Sequence, residues 1–211
     1  MRLVLLGPPG SGKGTQAEFI SRKLNIPWIS VGELLREEVA NKSELGQSIA
    51  AYVAQGTLAP DEIVEKVVLK RLSGEDCANG FLLDGFPRDI SQAKFLMDAY
   101  PLDLVIYLRV PDDVLVKRLS ERMICEKCGE PYSTHKPPKK EGICDDCGGR
   151  LIRRKDDMPD VVRKRISLYH ESTEPLVNFF REKGILDEID GNKEVVEITE
   201  AVLSSLSQVS V

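Results

Sequence analysis

The sequence predicts an α/β fold: a doubly wound, parallel, five-stranded sheet covered by helices on both faces and interrupted by two insertions. Three observations predict it. Short runs of branched apolar residues alternate with stretches of helical period, the pattern of parallel strands joined by crossover helices. The first run, Leu3-Val4-Leu5-Leu6, passes directly into a glycine-rich loop and then a helix. Two stretches break the alternation: 30–59 is helical throughout, and 122–158 carries cysteine pairs and Pro137-Pro138 with little apolar periodicity.

Composition bounds the reading. The 211 residues suffice for one domain with insertions, and an apolar fraction of 42% can build a core. The 29 basic and 34 acidic side chains leave a net charge of −5, which argues against nonspecific nucleic-acid binding. No apolar run approaches a membrane span, and the first ends at once in the glycine loop rather than in a signal sequence. Of five cysteines, four form two Cys-x-x-Cys pairs, which suits metal ligation in a reducing compartment. A cytoplasmic protein is expected.

Taken in order, residues 3–6 are a buried strand, and 16–24 a helix with Phe19, Ile20, Lys23 and Leu24 at helical spacing, closed by Asn25-Ile26-Pro27. Residues 28–30 form a second strand, with Ser30 as N-cap of a helix carrying Leu34, Leu35 and Val39. A further helix covers about 44–54, and Thr57-Leu-Ala-Pro60 is a turn. Residues 61–72 form an amphipathic helix with Ile63, Val64, Val67, Val68 and Leu72 on one face. Strands follow at 81–83 and 104–108, with helices at 91–100 and from Asp112 to about Arg122. A long helix is predicted over 159–182 with a kink at Pro175, then a fifth strand at 185–189 and a closing helix over 193–206. The core is thus 1–29, 60–121 and 159–211.

Gly7-Pro-Pro-Gly-Ser-Gly-Lys-Gly-Thr15 sits between a strand and a helix, the context in which G-x-x-x-x-G-K cradles a phosphate. Glycines let backbone N–H groups turn inward as an anion nest, the helix N-terminus adds its dipole, and Lys13 adds a mobile charge. A ligand-free glycine turn is the bland alternative. A nucleoside polyphosphate is therefore expected at this P-loop. Gly14 occupies the position after Lys13, where a hydroxyl usually reaches magnesium, so part of the metal's support must come from elsewhere.

In α/β sheets ligands bind beyond the carboxyl ends of the strands. Asp84-Gly-Phe-Pro-Arg-Asp-Ile-Ser-Gln92 lies at such an end. Asp84 can order the waters of magnesium, Arg88 offers a planar fork to a phosphate, and Gln92 can pair with a base edge. Alone, each reads as turn or surface chemistry; beside a phosphate loop, the set reads as a site.

These motifs, with Gly-Glu-Leu-Leu-Arg at 32–36 and Arg-Lys-Asp-Asp plus Val-Arg-Lys-Arg at 154–165, resemble the adenylate kinases of the long-lid type, in order and over essentially the whole chain. The resemblance implies transfer of the γ-phosphoryl of Mg-ATP to AMP, giving two ADP, by a monomer with a core, a monophosphate-binding segment (30–59) and a lid (122–158). On the ATP side it places Gly10, Ser11, Gly12, Lys13, Gly14, Thr15, Arg118, Arg122, Tyr132 and Lys193. On the AMP side it places Val31, Arg36, Thr57, Leu58, Ala59, Gly85, Phe86, Pro87, Arg88, Gln92, Arg154 and Arg165. Lys13, Asp84, Arg88, Arg122, Arg154 and Arg165 would serve the transfer itself, which depends on positioning and charge cancellation. Asp156 and Asp157 are expected to orient neighbouring arginines or the ribose, while Arg163 and Lys164 read as surface. Val31 replaces the family's usual threonine near the AMP base, which leaves open a kinase for UMP, CMP or GMP. Glu33 replaces an aspartate, a change expected to matter little.

Cys125-x-x-Cys128 and Cys144-x-x-Cys147, fifteen residues apart, have four-thiolate zinc spacing. With no open coordination place, the metal reads as structural, in a segment too poor in apolar residues to hold itself together. Iron is the rival metal, a disulfide pair the rival chemistry, and a nucleotide-gated zinc-ribbon binding module the rival function. Cys77 reads as a core cysteine; His135 and His170 receive no role.

Overall fold

The structure, a computed structural model, describes residues 1–134 and 136–209, and Lys155 through its backbone. His135, to which nothing was assigned, lies outside the described residues. The elements run β1 (Arg2–Leu6), α1 (Lys13–Leu24), β2 (Trp28–Ser30), α2 (Val31–Ala40), α3 (Glu44–Gln55), α4 (Asp61–Leu72), β3 (Phe81–Asp84) and α5 (Ile90–Ala99). There follow β4 (Leu104–Arg109), α6 (Asp112–Glu121), β5 (Met123–Cys125), β6 (Pro131–Tyr132) and β7 (Leu151–Ile152). The chain closes with α7 (Pro159–Leu168), α8 (Pro175–Glu182), β8 (Leu186–Asp190) and α9 (Val195–Val209).

Five strands pair in parallel in the order β2-β3-β1-β4-β8. The apolar runs are continuous rather than alternating because each strand faces a core on both sides. Val4 and Leu6 enter one core with Val68, Leu96 and Phe180 of α4, α5 and α8. Leu3 and Leu5 enter the other with Ala17 and Ile20 of α1 and Val202 and Leu206 of α9. Since the chain builds first to one side of β1 and then to the other, a crevice opens at the carboxyl ends of β1 and β3.

Several local expectations are corrected. Phe19 is 44% exposed; Ala17 and Ile20 supply the buried face of α1. Ser30 makes no side-chain cap, whereas Ser43 and Asp89 cap α3 and α5 by accepting from Gly46 N and Gln92 N. The long helix is interrupted before its proline. Pro175 has no N–H, and the backbone answers with a π turn over Tyr169–Thr173, closed by Glu174 N donating to Tyr169 O at 2.8 Å. The 122–158 segment, which showed little periodicity, contains a small antiparallel sheet ordered β6-β5-β7. Its core is Cys125, Tyr132, Cys144 and Leu151. Cys77 is buried as expected. No helix among the described residues is long and apolar enough to cross a membrane.

Candidate active site

The phosphate loop links β1 to α1, whose first residue is Lys13. Gly10 (φ +86°) and Gly12 (φ +96°) hold left-handed backbone that other residues resist. At Gly10 a Cβ would also stand 2.9 Å from Leu119 Cγ, so the loop packs against α6. Lys13 folds over the loop, its Nζ donating to Gly7 O at 2.7 Å and Pro8 O at 3.0 Å. Burial pulls its pKa down to about 8 against the attraction of Asp84, with Arg88, Arg165 and Arg122 adding to the depression. Ser11 Oγ is buried with no partner among the described residues, a free polar group inside the loop. Thr15 is exposed, two places beyond the lysine.

Asp84 ends β3 beside this loop. Burial raises its pKa, opposed by Lys13, Arg88 and Arg36. One residue on, the chain turns at Gly85 and passes through a cis Phe86–Pro87 bond to Arg88. Burial, reinforced by Arg165, lowers the Arg88 pKa to about 10. Five arginines from distant segments stand around the same space. Asp157, its side chain fully buried, takes both Nε (2.7 Å) and Nη2 (2.6 Å) of Arg122 and also Nη1 of Arg165 (3.0 Å). Arg165 pairs with Asp156 at 3.1 Å as well. Glu33 takes Arg36 (2.6 and 2.9 Å) and Arg154. Both acids of the 156–157 pair thus orient arginines, while Arg163 pairs with Asp160 at the surface, outside this cluster.

A cleft of about 630 Å³, open to solvent, is lined by Arg36, Arg88, Asp156 and Arg165 of this cluster, while Arg154 and Arg122 join these lining residues through the ion-pair network. Of the residues expected on the monophosphate side, Val31, Arg36, Thr57, Leu58, Ala59, Gly85, Arg88, Gln92 and Arg165 line it. Phe86 is 1% exposed and belongs to the core beneath. Gln92 is 2% exposed, and both ends of its amide are already engaged: Oε1 accepts from Arg88 N at 2.8 Å, and Nε2 donates to Asp61 at 2.6 Å. On the opposite side Arg118 Nη1 donates to Gly191 O at 3.0 Å, tying α6 to the loop that carries Lys193. Tyr132 is buried beside the cysteines. Its hydroxyl donates to Cys144 Sγ at 3.4 Å and accepts from Asp145 N at 2.7 Å.

A family model described as adenylate kinase matches residues 5–185. A protein named adenylate kinase from Caldicellulosiruptor bescii is 48% identical over 212 residues, covering 98% of this chain and 99% of its own. Another so named, from Lachnoclostridium phytofermentans, is 45% identical with both chains covered completely, and one from Archaeoglobus fulgidus is 43% identical with 99% of each covered. The chain belongs to the adenylate kinase family. It is accordingly an enzyme of nucleotide phosphoryl transfer.

The four cysteines are a separate feature within this adenylate kinase. Their Sγ atoms lie within 4.8 Å of one another, with Cys125–Cys147 at 3.4 Å and Cys128–Cys144 at 3.5 Å. Tetrahedral Zn–S bonds of about 2.3 Å put sulfurs about 3.8 Å apart, so the cluster is the right size for a zinc ion. Lys127 N and Cys128 N also approach Cys125 Sγ, as thiolates require. The sequence reading missed Leu35, Val53, Val64 and Asp156 as cleft walls. Leu35, Val53 and Val64 have helical apolar spacing, which looks the same whether a side chain faces a core or a ligand. It also missed Glu33, whose only sequence signal is its i,i+3 spacing from Arg36.

Proposed function

We propose that the chain catalyses the reversible, magnesium-dependent transfer of the γ-phosphoryl of ATP to AMP, giving two ADP. The observation that carries this reading is one connected cluster of six cations: Arg36, Arg88 and Arg165 line the cleft, Arg154 and Arg122 are joined to them through Glu33 and Asp157, and Lys13 lies close enough to feel Arg88, Arg165 and Arg122. A single phosphate would not call for six cations; a triphosphate facing an acceptor phosphate does. An oxygen of the AMP phosphate attacks the γ-phosphorus while the bond to the β–γ bridging oxygen breaks, leaving ADP on both sides. Charge spreads over the equatorial oxygens, and fixed guanidinium forks cancel it without reorganising.

Lys13 and the amides of Gly10 to Thr15 hold the ATP phosphates, with Arg118, Lys193 and the backbone at Tyr132 on the nucleoside side. Arg36 and Arg88 grip the AMP phosphate, and Val31, Gln92 and the 57–59 backbone face its nucleoside. Arg122, Arg154 and Arg165 follow the phosphoryl in transit. Asp84, a buried carboxylate facing the loop, is the kind of single acidic donor that magnesium takes alongside phosphates. Magnesium, entering with ATP and supported by Asp84, would supply positive charge against the phosphates. Closure of 30–59 and 122–158 excludes water, which would otherwise accept the phosphoryl. Zinc, held by Cys125, Cys128, Cys144 and Cys147, is structural in this reading.

A second acceptor class is favoured by one observation. Val31, 1% exposed, lines the cleft without a hydroxyl for the base. Initial rates with Mg-ATP against AMP, UMP, CMP and GMP in parallel separate the readings. Preference for AMP supports the first; preference for another monophosphate keeps the mechanism and changes the substrate. Absence of transfer to all four would refute both.

A further inference from the structure

Thr173 closes the π turn and is 8% exposed. A threonine within a helix ordinarily turns its hydroxyl back to a carbonyl of its own preceding turn. Here the hydroxyl leaves the helix and donates to the backbone carbonyl of Arg88 at 2.8 Å, across 85 residues. Arg88 is thereby held at three points: its N–H by Gln92 at 2.8 Å, its carbonyl by Thr173, and its Nε by Gly85 O at 2.9 Å. What remains of the fork, Nη1 and Nη2, has no acceptor among the described residues and stands in the cleft wall. The far side of the turn is braced too. His170 Nε2 lies 3.0 Å from the Asp112 carboxylate at the start of α6, and its Nδ1 lies 3.0 Å from Glu174. The turn is therefore fixed between α6 and the Arg88 loop.

We propose that Thr173 is a positioning residue for Arg88: the π turn aims its hydroxyl at the Arg88 carbonyl and so sets where the free end of the guanidinium meets the acceptor phosphate. The inference rests on the reading of Arg88 as the grip on that phosphate. Backbone placement matters because a fork recognises phosphate by two parallel N–H bonds, which tolerate little displacement.

The test is steady-state kinetics on Thr173→Ser, Thr173→Ala and Thr173→Val, varying AMP and ATP separately, with thermal melts alongside. Ser and Ala both lack the methyl group and differ only in the hydroxyl, so that pair isolates the bond even if Val packs badly. The expected result is a rise of roughly 3- to 10-fold in KM for AMP in the Ala and Val variants, with KM for ATP unchanged and Ser close to the parent. Ser and Ala behaving alike, or an unchanged KM for AMP without the hydroxyl, would overturn the proposal. Arg88→Lys in the same assay separates the two levels. If it raises KM for AMP while Thr173→Ala does not, only the positioning role falls. If Arg88→Lys keeps the parent KM, the phosphate grip falls and the positioning role with it.

Discussion

Arg154 donates to the carboxylate of Glu33, 121 residues earlier in the chain, and so joins the 122–158 segment to helix α2. The same carboxylate holds Arg36, and together the two arginines pull its pKa below the usual range against the effect of burial. Glu33 thus occupies two of the forks proposed to serve the phosphates, and the substitution expected to matter little sits at the joint between two segments.

Glu33→Gln removes that competing charge. KM for AMP should fall by roughly 2- to 5-fold, while stability falls by about 1 kcal/mol because the carboxylate is half exposed. Parallel kinetics and melting curves check both. A rise in KM would mean that Glu33 chiefly preorganises the arginines.

Asp157→Asn acts on a different carboxylate, one with no exposure. It takes two bonds from Arg122 and one from Arg165, so its removal strands partly buried guanidiniums. The expected loss is about 3 kcal/mol by urea denaturation, with a steeper loss of phosphoryl transfer than of ATP binding. An unfolding midpoint equal to the parent's would show that the arginines find other partners.

Lys13 predicts a pH dependence. In the ligand-free enzyme its pKa is about 8 rather than 10.5, chiefly through burial. KM for ATP should therefore rise as pH climbs through about 8 and the charge is lost. The linked stability has the opposite sense. The unfolded chain keeps the lysine proton up to 10.5, so the native state is penalised below about 8 and the penalty is relieved between the two values. A profile of KM for ATP that is flat from pH 7 to 9.5 would count against Lys13 as the phosphate ligand.

Stripping the metal with a thiol-competing chelator should lower the melting temperature while leaving the initial rate at low temperature in place. The four thiolates have no open coordination place, and the small sheet around them has a core of only Cys125, Tyr132, Cys144 and Leu151. Instant loss of rate in protein that is still folded would instead make the metal a participant.

Much of the fold was legible because its signals are local. The β1 run, the glycine loop and the start of α1 are consecutive residues, and their order alone dictates a strand-end cradle. The arginines at 36, 88, 154 and 165 could be assigned through resemblance, and the cysteine spacing brought four sulfurs together without any knowledge of the path between them. Errors cluster where one pattern has two outcomes. Phe19 fits the helical period but lies on the outer side of α1, and Ser30 reads as an N-cap but makes no side-chain cap bond, whereas Ser43 caps the next helix.

By itself the sequence determined the order of the core strands and helices, the phosphate loop and the cysteine cluster, since periodicity, glycine conformation and ligand spacing act over a few residues. Only the tertiary structure decided which charges meet. Glu33 reaches Arg154, Asp157 divides itself between Arg122 and Arg165, and Thr173 reaches the carbonyl of Arg88. These bonds join segments set side by side by the winding of the sheet and by the extra residue in the π turn. Electrostatic and hydrogen-bond energies depend on separations of a few ångströms in space, which separation along the chain does not encode.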